Sequence, residues 1–229
     1  SVDLIVTSPP YFALRSYTDG GEHYDGQIGS EPTPQAFLEA LWAVTRECRR
    51  VLKPSGSMWV NLGDKYSGSG GHNNAAIGGE GRGPSSYNKA TCAPPKSLMG
   101  LPWRYAIGCI DDLDLILRAE VIWSKPNGLP ESVTDRVRRS HEQWFHFTKE
   151  PRYFAAVDEI REPHLGVDNA KSARGPSGTN RSHMTGKVAG VGNFARDPLG
   201  KLPGSVWTIP SEPLKVPDWL GVDHFAAFP

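Results

Sequence analysis

The sequence predicts an α/β fold: a mostly parallel sheet interrupted by long glycine-rich, basic insertions. Three observations carry this reading. Two short apolar runs, Val2-Asp3-Leu4-Ile5-Val6-Thr7 and Ser57-Met58-Trp59-Val60-Asn61-Leu62, have the composition of strands buried on both faces. Between them lies an amphipathic stretch of helical period, so strand, helix and strand form a βαβ unit whose strands are parallel neighbours. The chain also has 25 Gly and 20 Pro among 229 residues, and they cluster. Clustering of that kind marks long loops set into a compact scaffold.

The length suits one large domain with insertions and is enough for a substantial core. Lys and Arg number 25 against 25 Asp and Glu, so any surface for a polyanion must be local. Cys48, Cys92 and Cys109 are widely spaced, with no Cys-x-x-Cys pair. That pattern suggests neither a disulfide framework nor a zinc site; single buried thiols in a reducing cytoplasm fit it, and no metal is expected. No apolar run approaches a membrane span, and the N-terminus does not read as a signal peptide, so a membrane is not an expected partner.

Each element has its own signals. Residues 14–32, polar with Arg15, Tyr17 and Tyr24, read as a loop. Thr33 and Pro34 open a helix, as cap and first-turn residue. Phe37, Leu38, Leu41, Trp42, Thr45, Cys48, Val51 and Leu52 line one face of it. Arg46, Arg49, Arg50 and Lys53 load its last turns, and Pro54 and Gly56 end it. A basic glycine-rich insertion occupies residues 65–97. A second helix begins at Leu101-Pro102, with Trp103, Ala106, Ile107 and Ile110 on one face. Residues 119–123 form a third strand, stopped by Lys125-Pro126-Asn127-Gly128, and His141–Thr148 a fourth with alternating aromatics. Arg136, Arg138 and Arg139 stand close together before it, placed to neutralise phosphates. Residues 165–205 are again basic and glycine-rich, with Lys171, Arg174, Arg181 and Lys187, and Val206-Trp207-Thr208 is strand-like. The resulting organisation, within one domain, is a strand–helix–strand unit (1–64), an insertion (65–97), the second half of the sheet (98–163), a second insertion (164–205) and a return segment (206–229).

The chemistry centres on Thr7-Ser8-Pro9-Pro10-Tyr11, where the first strand stops. Two successive prolines offer no N–H to a sheet ladder and bar their predecessors from the helical region. Ser8, Pro9, Pro10 and Tyr11 are therefore held in a stiff extended loop at the carboxyl end of a strand, where open α/β sheets place their ligands. Such a loop can grip a flat heterocycle carrying an exocyclic amino group. Tyr11 would stack on the ring, while the Ser8 side chain and the Pro9 carbonyl accept the amino hydrogens. Asp64, closing the second strand, suits either a ligand or a structural turn. His141 and His146 read as packing and hydrogen-bonding residues, and two histidines do not make a metal site.

Ser8-Pro9-Pro10-Tyr11 resembles the (Asp/Asn/Ser)-Pro-Pro-(Tyr/Phe/Trp) motif of the DNA amino-methyltransferases. Further blocks continue the likeness: residues 46–54 leading into Val60-Asn61-Leu62-Gly63-Asp64, then Ile122-Trp123-Ser124-Lys125-Pro126-Asn127, Arg139-Ser140-His141-Glu142, and the closing His224-Phe225-Ala226-Ala227-Phe228-Pro229. Their order resembles the permuted class called beta. The resemblance implies a partial Rossmann-like methyltransferase sheet with an antiparallel strand pair at one end. It implies S-adenosylmethionine as cofactor, near Thr7, Ser8, Phe225, Ala226, Phe228 and Pro229. It also implies double-stranded DNA with one flipped base as partner, with residues 165–205 as target-recognition region and a cognate restriction endonuclease possible as companion. Serine in the first motif position points to cytosine N4, since adenine enzymes more often carry Asp or Asn. Adenine N6 and a non-catalytic DNA-binding fragment stand as alternatives. The family's Asp-Pro-Phe-x-Gly-Ser-Gly block is not found, so the chain is expected to be a fragment, inactive alone.

Overall fold

The computed structural model describes residues 1–13, 18–19, 22–23, 26–68, 93–128, 130–164 and 197–212. The chain divides into two compact units, Ser1–Phe154 with Ser205–Pro229, and Ala155–Gly204. In the first, β1 (Val2–Thr7) is followed by a small hairpin of β2 (Thr18–Asp19) and β3 (Glu22–His23), within the stretch expected to be loop throughout. Helix α1 (Pro34–Val51), β4 (Leu52–Leu62), α2 (Leu101–Asp111), β5 (Ile116–Ser124), β6 (His141–Thr148) and β7 (Val206–Thr208) complete it. Five strands make one sheet in the order β1-β4-β6-β5-β7. The β1–β4 and β5–β7 pairs are parallel, whereas β6 runs antiparallel to both β4 and β5.

Helix α1 starts where its cap dictates: Ala36 N donates to Thr33 Oγ1 at 3.1 Å. It ends earlier than expected. Leu52 is already extended, and β4 runs through Pro54 and Gly56. Those two residues sit instead in an irregularity of the β1–β4 register, where Leu4 pairs with Ser57 but Val2 with Leu52. A Cβ on Gly56 would lie 2.8 Å from the Asp3 carbonyl, so only glycine allows that approach.

Both helices pack on the same face of the sheet. Phe37, Leu38 and Leu41 of α1 and Leu101, Tyr105 and Cys109 of α2 meet Met58, Val60, Phe145 and Phe147 in one buried core. The helices touch closely at Gly108, which lies directly against the Trp42 ring, and Trp42 Nε1 donates to the Tyr105 carbonyl at 3.0 Å. Burial lifts the Cys109 thiol to about 12. The inward face of α2 differs from the expected one. Ala106 is buried and the Trp103 ring meets the core residue Phe145 edge-on at 5.4 Å, but Ile107 and Ile110 are half exposed. Close approach to α1 requires a glycine at position 108, while the large Tyr105 is buried beside it and bonds Thr45 of α1.

The opposite face carries aromatics. Trp59 stacks on His146 with centroids 4.3 Å apart, and Tyr153 meets the same imidazole edge-on. His146 Nε2 lies 3.0 Å from Ser57 Oγ. It is a packing histidine, and burial, with Arg118 adding to it, lowers it to about 4. Strand β1 is not buried on both faces as its composition suggested. It is one of the two edge strands of the described sheet, with Leu4 58 % and Val6 52 % exposed. Composition cannot distinguish an edge strand with one open face from a central one.

The second unit holds a 3-10 turn (Val157–Ile160) and an isolated bridge between Glu162 and Lys201. Arg161 pairs there with Asp158 at 2.6 Å and Asp197 at 3.1 Å. No described helix is long and apolar enough to cross a membrane.

Candidate functional site: the loop after β1

Ser8-Pro9-Pro10-Tyr11 leaves the sheet at the carboxyl end of β1, beside the end of β4. A turn at residues 26–31 braces it from outside. Ala13 N donates to the Gly29 carbonyl at 2.7 Å, and Gly29 N donates to Glu31 Oε2 at 2.8 Å. Gly29, at φ +101°, presses on the loop, since a Cβ there would lie 3.0 Å from the Tyr11 carbonyl. Lys65 Nζ closes the far end by donating to the Ala13 carbonyl at 2.8 Å, and its burial lowers the ammonium below its ordinary range.

Tyr11 is fixed at both ends. Its ring lies against Gly63, where a Cβ would stand 2.6 Å from Cε2. Its hydroxyl is 2.8 Å from Asn61 Oδ1 and 2.7 Å from Glu142 Oε2. Asn61 is fully buried; its Nδ2 donates to the Gln143 carbonyl at 3.2 Å, while Ser8 Oγ donates to its Oδ1 at 3.4 Å. Glu142 in turn binds Lys125 Nζ at 2.5 Å, both side chains being less than 20 % exposed. Lys125 sits 3.9 Å above the Trp123 ring. Burial drives the Tyr11 phenol far above its ordinary range, the Glu142 carboxylate adds to that, and the Ser8 hydroxyl and then Arg139 work against it. The hydroxyl is therefore a neutral donor at any ordinary pH.

The structure brings the motif together with four residues that the sequence did not single out: Asn61, Gly63, Lys125 and Glu142. All four stood inside blocks of the family likeness, but their partners lie up to 131 positions away. Asp64 takes its structural reading. Its carboxylate accepts from Gly100 N (2.9 Å) and Leu101 N (3.0 Å), capping α2 where Gly100 has no side chain to do so. Arg136 is 3.8 Å from the Tyr66 ring and donates to Glu131 at 2.6 Å; Arg138 donates to the Gly128 carbonyl at 2.8 Å. These two order the loop before β6. Arg139 donates to Gln143 Oε1 at 3.3 Å and acts electrostatically on Tyr11. Lys171, Arg174, Arg181 and Lys187, and the expected cofactor contacts Phe225, Ala226, Phe228 and Pro229, lie outside the described residues.

A five-stranded sheet with one reversed strand, and a Ser-Pro-Pro-Tyr loop at the end of an edge strand, define the amino-methyltransferase class. The family model described as DNA methylase, covering N6 and N4 enzymes, matches residues 2–229, and the chain belongs to that family. It is 42 % identical over 177 residues to the type II methyltransferase M.XycI of Xanthomonas campestris pv. cyanopsidis, covering 72 % of this chain and 54 % of that protein. It is 40 % identical over 173 residues to M.Cfr9I of Citrobacter freundii, covering 71 % and 53 %. The chain thus spans about half the length of the curated relatives it matches. Among solved structures the PvuII DNA methyltransferase (cytosine-N4-specific) has the same fold, with TM-score 0.51 and 15 % identity, covering 96 % of this chain and 54 % of that one.

Proposed function

We propose that the protein transfers a methyl group from S-adenosylmethionine to the exocyclic amino nitrogen of a base flipped out of double-stranded DNA, and that the base is cytosine, modified at N4. The observation carrying this reading is the rigid loop itself, with the Ser8 hydroxyl and the Tyr11 ring held at the carboxyl end of β1. Ser8 first in the motif supports the choice of cytosine.

Flipping costs a few kcal/mol, which stacking on Tyr11 helps to offset. Ser8 Oγ and the Pro9 carbonyl accept the amino hydrogens and turn the nitrogen lone pair away from the ring. Positioning, and dispersal of the positive charge that grows on the nitrogen, supply the rate. S-adenosylmethionine supplies an electrophilic sulfonium methyl. The described residues fit it in two respects: the loop ends in a hydroxyl at the carboxyl end of β1, and the outer face of that strand is open at Leu4 and Val6. Thr7 and Ser8 would hold it from this side, and Phe225, Ala226, Phe228 and Pro229 from the other. DNA phosphates would be met by Arg136, Arg138 and Arg139 and by Lys171, Arg174, Arg181 and Lys187, and a restriction endonuclease reading the same site is the expected companion.

The test is to incubate the full-length protein with unmethylated bacterial DNA and S-adenosylmethionine, then digest the DNA to nucleosides for mass spectrometry. N4-methylcytosine is the expected product. N6-methyladenine would move the target to adenine, and no methylated nucleoside would leave a DNA-binding protein without transferase activity.

A further inference from the structure

Resting on the reading of Ser8 to Tyr11 as the base-binding loop, we propose that Asn61, Glu142 and Lys125 are positioning residues. They set the orientation of the Tyr11 ring and the polarity of the Ser8 hydroxyl before a base arrives. Two observations carry this. The first is the direction of the protons. Asn61 cannot be turned over without losing the bond from its Nδ2 to the Gln143 carbonyl, so its Oδ1 faces the motif. Ser8 directs its proton to that oxygen. The serine then offers an incoming group only lone pairs. An amino group finds an acceptor there, whereas a keto oxygen in the same place finds no donor. The loop thereby discriminates cytosine from thymine at the reacting position, because an oxygen facing oxygens with no proton between them is left unsatisfied.

The second observation is the clamp on the ring. The Tyr11 hydroxyl presents one proton to two acceptors, at 2.7 and 2.8 Å, and the ring edge rests on Gly63. Glu142 is immobilised by Lys125, and Lys125 by the Trp123 face, whose Nε1 donates to the Ile209 carbonyl at 2.8 Å. A base stacking on Tyr11 meets a surface whose tilt is already fixed, so no reorganisation remains at the moment of transfer.

The test uses the full-length protein, S-adenosylmethionine and bulk unmethylated bacterial DNA, with kcat and KM measured for Tyr11→Phe, Glu142→Gln and the double variant. Each single substitution is expected to lower kcat about tenfold or more while KM for both substrates stays within about threefold, since misplacement acts on the step after binding. The double variant is expected to be no slower than the slower single one, because without the hydroxyl Glu142 has nothing to act through. Since Glu142→Gln leaves the Lys125 charge unpaired, Lys125→Met with Glu142→Gln removes both charges and is expected to reproduce the kcat loss in a folded protein. Tyr11→Phe with wild-type kcat, or losses that multiply in the double variant, overturns the proposal alone. A wild type that methylates no base overturns the functional reading and this proposal with it.

Discussion

Gly63→Ala adds one methyl group just past the end of β4, where the chain supports the Tyr11 ring. The new Cβ would stand 2.6 Å from Tyr11 Cε2, 3.1 Å from Cδ2 and 3.3 Å from Cζ. Comfortable carbon–carbon separation is roughly 3.5–4.0 Å, so the ring must withdraw by about 1 Å. Gly63 does not occupy the left-handed region, so alanine brings no backbone strain of its own. The phenol oxygen cannot follow the ring and keep both acceptors, which stand at 2.7 and 2.8 Å. Loss of one such bond costs about 1–2 kcal/mol of stability. Catalysis is expected to suffer more, because a misplacement of about 1 Å is enough for roughly a hundredfold in rate. The measurement is kcat for methyl transfer by the full-length protein beside a denaturant unfolding curve. The reasoning is refuted if kcat stays within about threefold of wild type, or if stability falls by so much that the loss of activity is simple unfolding.

The remaining predictions concern stability and DNA contact. Between about pH 6.5 and pH 4 the unfolded chain protonates His146 while the folded one does not, so folding weakens as pH falls through that window. The contribution is about 3 kcal/mol, read as the difference in acid sensitivity between wild type and His146→Phe; equal sensitivity would discard it. Asp64→Ala removes the borrowed cap of α2 and should cost about 1–2 kcal/mol in denaturant unfolding, against under about 0.5 kcal/mol if Gly100 and Leu101 find other partners. Arg139→Ala should lower the salt dependence of DNA binding by about one phosphate contact, and an unchanged slope would move that contact elsewhere.

The elements of the sheet were legible because each has a local cause. Thr33 and Pro34 start α1, Leu101-Pro102 starts α2, and the alternating aromatics of β6 lie where the sequence puts them. What was not legible depends on neighbours far away in the chain. Leu4 and Val6 read like any buried strand, and only the strand order makes them an edge. Ile107 and Ile110 read as part of the apolar face of α2 because they fall at helical spacing with Trp103 and Ala106. Packing against α1 and the sheet instead buries Leu101, Tyr105, Ala106, Gly108 and Cys109. At the site, the motif announced Ser8 and Tyr11 by its two prolines. The acceptors that hold them, Asn61 and Glu142, are ordinary polar residues in strands and become functional only through a register that joins β1, β4 and β6.

The reversed strand also bears on how the protein is made. In chain order β4 is followed by β5, yet the two are not neighbours; β6, made after both, lies between them. Pairings that wait for distant sequence are slow to form, since the entropy of closing the loop comes before the contacts that reward it. Tyr11 receives its carboxylate partner from a strand 131 residues downstream. A nascent chain therefore carries the Ser-Pro-Pro-Tyr loop without its Glu142 contact until β6 has been made. The Tyr11 hydroxyl has both its partners only when β6 has paired with β4, which makes its loss of solvent access a reporter for the docking of β6.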